Sequence, residues 1–181
     1  MGIVQDKKHV TTSAFQQAGD KIYLLGPQPN DINCSEYLYS WHKVKLSPTP
    51  AFDLDTEFNV QGLLKTLTHD NLVQSAHDCA DGGLYITLLE SGMTNGFGFN
   101  IEAQPAIRKD AFLFGEAQSR IVVSVAPGQE AAFEQAVANS GVASQHIGTV
   151  TSGNITLWNQ DWNTVSAAKH TFDTAFETYL A

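Results

Sequence analysis

The spacing of apolar and polar positions alternates short buried-type runs with helical stripes. Ile22, Tyr23, Leu24 and Leu25 form an apolar run closed by Gly26-Pro27, which predicts a buried strand. From Asp55 onward, Val60, Leu63, Leu64 and Leu67 recur at the i, i+3, i+4, i+7 spacing of an amphipathic helix that should cover a sheet. Gly96 to Ile101 alternates apolar with small or polar residues, as a half-exposed strand does, and Ile121 to Val125 is the strongest strand signal. Phe133 and Val137 belong to a helix that stops at Asn139-Ser140-Gly141. Ile147 to Val150 and Ile155 to Trp158 read as two strands of a hairpin joined by residues 151–154. Val165, Ala168, Phe172, Ala175, Phe176 and Tyr179 recur as one C-terminal helix, with Asp161 upstream as its cap. Ser35 opens a short helix carrying Tyr37, Leu38 and Trp41, and Asp110 to Phe114 forms another that ends at Gly115. Pro48 and Pro50 make the segment between a linker. The total is a mixed sheet of about five strands with interspersed helices, an α+β fold with helices covering the sheet rather than a doubly wound one.

The stretch from Ser75 to Glu90 organises the rest. A helix-like apolar segment runs into Leu72-Val73, a polar turn with Gly82-Gly83 follows, and helical spacing resumes at Leu84, Leu88 and Leu89. Asp81 is placed to cap that helix, since a carboxylate there accepts the first free amides and faces the positive end of the dipole. Two readings of the paired glycines stay open. They form a cradle for an anion or substrate, or they permit tight packing where the helix starts. A second constellation lies before the strongest strand: Glu116 and Gln118 offer groups for an amide- or hydroxyl-bearing substrate, and Arg120 offers a fork for a carboxylate or phosphate. The alternative is an ordinary polar turn. His77-Asp78 beside Asp81 has the composition of a base with an orienting carboxylate, although adjacent residues point apart. There is no Walker loop, no nucleophile elbow and no dinucleotide fingerprint.

Composition narrows the classes. At 181 residues and 43% hydrophobic content, the chain suits one domain with a real core. A net charge of -9 leaves no basic stripe for nucleic acid or an anionic membrane. Two distant cysteines, Cys34 and Cys79, form neither a disulfide framework nor a zinc motif. With no apolar run long enough to span a bilayer, the expectation is a soluble cytoplasmic protein.

Several blocks together resemble a known family. They are Gly19-Asp20-Lys21-Ile22-Tyr23-Leu24-Leu25-Gly26 with Ser35-Glu36-Tyr37-Leu38, then Ser75-Ala76-His77-Asp78 with Asp81-Gly82-Gly83-Leu84, then Leu113 through Val125, and finally Ile147-Gly148-Thr149-Val150. In order and spacing they resemble phosphoribosylformylglycinamidine synthase, specifically the last C-terminal-type domain of its synthetase subunit, a domain type shared with aminoimidazole ribonucleotide synthetase. The resemblance implies an aminoimidazole ribonucleotide synthetase C-terminal-domain-like fold over residues 19–181. Residues 1–18 would be an extended arm at the junction between domain types, which Met1 to Asp6 also resembles. It implies a ligase of purine biosynthesis that makes formylglycinamidine ribonucleotide from formylglycinamide ribonucleotide, using ATP and glutamine-derived ammonia. ATP and Mg would be bound mainly outside this chain, and the fragment alone would be inactive. The implied partners are the N-terminal-type and first C-terminal-type domains, a glutaminase component and the ribonucleotide substrate, with no nucleic acid and no membrane. Surface left bare leaves room for a homodimer of the fragment. Asp78, Gly82, Gly83, Glu116, Gln118 and Arg120 are the substrate-binding candidates that the matched blocks supply. Two departures matter. Where the first C-terminal-type copy carries Glu-Ser-Gln, this chain has Glu116-Ala117-Gln118, which matches the second copy better and favours a domain that completes the architecture or lines the site from one side. Cys34 stands where the family usually has Gly. The alternative function is a stand-alone metabolite-binding or scaffold protein with the same fold. A selenophosphate or thiamine-phosphate enzyme fits the pattern less well.

Overall fold

The computed structural model describes residues 6–180; the junction-like stretch 1–5 lies outside them. Seven strands form one mixed sheet: β1 (Lys21–Leu25), β2 (Ser75–Asp78), β3 (Gly98–Ile101), β4 (Ile121–Val125), β5 (Ser144–Thr151), β6 (Asn154–Leu157) and β7 (Gln160–Thr164), in the order β2-β4-β1-β5-β3-β6-β7. The helices are α1 (Leu54–His69), α2 (Gly83–Met93), α3 (Lys109–Phe114), α4 (Glu130–Ser140), α5 (Val165–Asp173) and α6 (Ala175–Leu180). The α+β assignment stands, and helices cover both faces of the sheet.

The unbroken apolar runs of β1 and β4 follow from this two-sided covering, because successive side chains point to opposite faces and both are dry. Ile22, Leu24 and Val122 pack with Leu84 and Leu88 of α2 and Phe112 of α3. Tyr23, Leu25, Val123 and Val125 pack with Val60, Leu63 and Leu67 of α1 and with Phe133 and Val137 of α4. The predicted stripe of α1 is thus its buried face, started by Asp53, whose Oδ1 accepts the Thr56 N–H at 2.7 Å.

Several sequence expectations are corrected. There are seven strands, because Ser75–Asp78 pairs with β4 and Gln160–Thr164 pairs with β6. Both are polar segments whose ladder bonds, not their hydrophobicity, define them. The expected β5–β6 hairpin is not one. β3 inserts between the two strands, antiparallel to β5 and parallel to β6. The link between β5 and β6 crosses over the end of β3 at Gly98, where a Cβ would lie 2.1 Å from the Asn154 carbonyl oxygen and 2.6 Å from Thr151 Oγ1. Asp161 lies within β7, and the cap of α5 is Thr164, whose Oγ1 accepts the Ala167 N–H at 3.3 Å. The single C-terminal helix is two, separated at Thr174.

The segment before β1 lies against the domain. The Thr12 carbonyl accepts the Ala76 N–H at 3.0 Å, covering the β2 edge. Phe15 is fully buried, and its N–H donates to the Ser91 carbonyl at 2.8 Å. Next to this arm, Asp20 has no exposed surface, and neither carboxylate oxygen has a hydrogen-bond partner. Burial holds its carboxyl above the usual range, opposed by the Gln17 backbone.

Two outcomes follow. Gly98→Ala should cost about 1–3 kcal/mol in urea unfolding, because the crossover must shift to admit a methyl group. The raised folded-state pKa of Asp20 means that its carboxyl destabilises the fold progressively as pH climbs above the unfolded value of 3.8. Asp20→Asn should therefore match the parent in thermal melts near pH 3, exceed it increasingly as pH rises from 3.8 to the raised folded-state pKa, and keep a constant advantage above that. Equal pH profiles would exclude a buried, ionisable Asp20.

Candidate functional site

At one end of the sheet β1 and β2 finish and β4 and β5 begin, because β4 runs antiparallel to both β1 and β2, with Leu25 and Asp78 each opposite Ile121. This topology gathers the β2–α2 turn, the α3–β4 turn and the loop after β1. Gly82, Glu116, Gln118 and Arg120 lie on the first two of these connections, with Asp78 ending β2 and Gly83 beginning α2 beside them. The Cys79 N–H donates to the Arg120 carbonyl at 2.9 Å and pins the two turns together.

Glu116 is the centre of the arrangement. Its Oε1 accepts the Gly82 N–H at 2.7 Å and the Glu36 N–H at 2.8 Å. The carboxylate that meets the amino end of α2 is therefore supplied from the α3–β4 turn. Asp81 does not cap α2; Gly82 does so by position, in a left-handed conformation with no side chain to offer. A negative group at this helix end is favoured by the exposed amides and the dipole. Gly83 has φ +66°, and a Cβ there would come within 2.9 Å of backbone atoms of Leu113, Phe114 and Gly115. Gly83 thus serves close approach of α2 to the end of α3, whereas a Cβ at Gly82, at φ +83°, would meet the Ile86 side chain of α2 itself.

Arg120 is buried and turned inward. Its Nη1 donates to the Gly115 carbonyl at 2.6 Å and its Nη2 to the Phe112 carbonyl at 2.8 Å, satisfying the carboxyl end of α3. Burial lowers its pKa, with the Cys79 thiol opposing. Its fork is occupied by backbone. Asp78, Gln118 and Arg120 line one recess of about 190 Å³ together with Glu57 and Ser119; Asp78 and Gln118 are its exposed members. Glu116 and Asp81 line a second recess, of about 410 Å³, opposite Ser35, Tyr39, Lys45 and Leu46. Gly82 and Gly83 line neither.

The loop after β1 supplies the outer wall. Ser35 Oγ accepts the Leu38 N–H at 3.1 Å and donates to the Ile32 carbonyl at 2.6 Å, so it starts the π-helical turn Tyr37–Trp41. Cys34 has φ +56°, the left-handed region where glycine is usual. Its N–H donates to Ser47 Oγ at 2.8 Å, which folds the loop back on itself. His77 is not paired with Asp78. Its Nδ1 lies 3.3 Å from Ser91 Oγ and its Nε2 3.6 Å from Glu90 Oε2, on the flank of α2. Among the described residues, no three His, Cys, Asp or Glu side chains are grouped to hold a metal ion.

Residues 17–158 match the family described as AIR synthase related protein, C-terminal domain. The chain belongs to that family. Across 99% of its length it is 37% identical, over 187 residues, to the phosphoribosylformylglycinamidine synthase subunit PurL of Salinibacter ruber, and it covers 25% of that protein. It spans a quarter or less of the length of the curated relatives it matches. Among solved structures, T. maritima PurL complexed with FGAR superposes with a TM-score of 0.75 at 15% identity, covering 90% of this chain and 30% of that one. T. maritima PurL complexed with ATP gives 0.70 at 14% identity, covering 90% and 28%. At such identities the structures show the shared fold of the AIR synthase related C-terminal domain.

Sequence reasoning missed Glu57 and the wall residues Tyr39 and Lys45. Glu57 reads as an ordinary first-turn acid of α1, four residues after its cap; only the fold brings its Oε2 to the Ser119 hydroxyl. Removing the Glu116 carboxylate strands two amides at once. Glu116→Ala should lower unfolding stability by about 1–3 kcal/mol, and Glu116→Gln, which keeps an acceptor, by less. Equal losses for both variants in urea titrations would rule out the bridging role.

Proposed function

We propose that this chain is one domain of an ATP-dependent ligase of purine biosynthesis, which converts formylglycinamide ribonucleotide to formylglycinamidine ribonucleotide with glutamine-derived ammonia. The observation that carries this is the 37% identity spread over 99% of the chain to a protein four times as long. On this reading the domain lines the ribonucleotide cleft from one side and is inactive alone. Of the six candidates, Asp78 and Gln118 face the cleft. Glu116, Gly82, Gly83 and Arg120 position that wall: Glu116 accepts backbone amides, the Gly82 one among them, both Nη atoms of Arg120 bind backbone carbonyls, and Gly83 packs against backbone.

The N-terminal-type and first C-terminal-type domains complete the site, with residues 1–18 as the arm at the junction and 19–181 as the domain. On this reading they hold ATP and its magnesium ion. A glutaminase component supplies ammonia. The compartment is the cytoplasm, and among the described residues no helix is long and apolar enough to cross a membrane.

Calorimetric titration of the 181-residue chain with ATP should give no tight binding, and the chain mixed with ATP, ammonia and formylglycinamide ribonucleotide should form no amidine. A longer polypeptide carrying the other domains should turn over. Tight ATP binding or turnover by the chain alone overturns the proposal.

A further inference from the structure

The chain leaves a run of large apolar side chains in water, from the rim of the Glu116 recess, lined by Tyr39 and Leu46, to Phe58 on α1, which lines a separate recess against α4. Tyr39, Trp41, Leu46, Phe52, Leu54 and Phe58 are all at least half exposed, with Trp41 at 75% and Leu46 at 91%. They occupy a continuous piece of chain: the π-helical turn, the twelve residues 42–53 that carry no regular structure, and the start of α1. A surface loop of this length is ordinarily polar, and contiguous exposed apolar surface marks an interaction site. The segment is also held in shape rather than loose. Lys43 and Cys34 both adopt the left-handed conformation, Ser47 bonds back to Cys34, and Ser35 anchors the turn. Tyr39, Val44 and Leu46 of this segment form the outer rim of the 410 Å³ recess that Glu116 and Asp81 close from within.

We propose that this segment docks an apolar face of another domain of the same long polypeptide, and that docking closes the recess above Glu116. The inference rests on the multidomain reading above and adds the surface by which the module is held. Three observations select this occupant. The matched relative is four times the length of the chain, so three quarters of its polypeptide lies elsewhere. The patch begins at the recess that the other domain would complete, through Tyr39, Val44 and Leu46. A second copy of this chain is disfavoured because each copy carries a net charge of -9, and a two-fold contact would bring like-charged molecules together. The second exposed apolar stripe, Phe172, Phe176 and Leu180, lies beyond the family-matched residues and borders no part of the recess. Trp41 and Phe58 have the character of interface anchors, with large apolar area and few rotamers to lose.

Hydrogen–deuterium exchange of residues 38–58, measured in the 181-residue chain and in the longer polypeptide, tests this. Exchange should slow at least tenfold in the longer polypeptide, and light scattering should show the chain alone to be monomeric. The double substitution Trp41→Glu with Leu46→Glu should leave the melting temperature of the isolated chain unchanged, since both side chains face water. In the longer polypeptide it should restore fast exchange and reduce ligase turnover at least tenfold. Equal exchange in the two contexts, no effect of the double substitution on exchange, or a dimer protected at 38–58 overturns docking. Protection without amidine-forming activity supports docking and sinks the ligase reading; activity without protection does the reverse.

Discussion

One carboxylate oxygen holds the candidate site together. Glu116 Oε1 accepts amides from two segments distant in sequence, Gly82 at the start of α2 and Glu36 ahead of the π-helical turn. Charge-assisted hydrogen bonds of this kind are short and directional. The geometry is possible only because Gly83 lets α2 approach the backbone of Leu113 to Gly115, and because Arg120 satisfies the carbonyls that end α3 from the opposite side. An acid, a glycine pair and a buried cation thus act as one unit. Each binds backbone, which explains how a polar cluster makes a rigid wall.

The sheet explains why this wall lies where it does. Antiparallel pairing of β4 with both β1 and β2 brings three connections to one end, while helices on both faces keep the strands themselves dry. Insertion of β3 between β5 and β6 widens the sheet at the far side without adding to the site. It demands glycine at Gly98, beneath the crossing chain, and at Gly148 of β5, where a Cβ would lie 1.9 Å from the Asn100 carbonyl oxygen of β3. The two ends of the sheet order differ as well. The β2 edge is covered through Thr12, whereas every residue of β7 is exposed.

The membership of this chain in the AIR synthase related C-terminal domain family and its surface tell a consistent story. The curated relatives are at least four times the length of this chain, and on the proposed reading the large apolar groups left in water beside the recess are surface whose burial neighbouring domains complete. The same view accounts for the division of labour at the site. Backbone-directed groups set the shape of the wall, and Asp78 and Gln118 are the exposed side chains of the smaller recess.

The sequence alone determined the apolar elements, since periodicity reports directly on which face is dry: β1, β4, α1, α4 and the helix after the glycine pair were all legible. The block resemblance, being local in sequence, was legible too. It supplied six substrate-binding candidates, without showing that Glu116 and Arg120 would spend their polar groups on backbone. What the tertiary structure decided is pairing. Ser75–Asp78 and Gln160–Thr164 are strands because neighbours supply ladder bonds, a property no polar segment carries by itself. The apparent β5–β6 hairpin was misread because a short glycine-containing link looks the same whether it joins adjacent strands or steps over a third. Asp81 was the natural cap by sequence position, yet the carboxylate of Glu116 reaches Gly82 from 34 residues away. Local spacing encodes burial; long-range hydrogen bonds are encoded only in the folded chain.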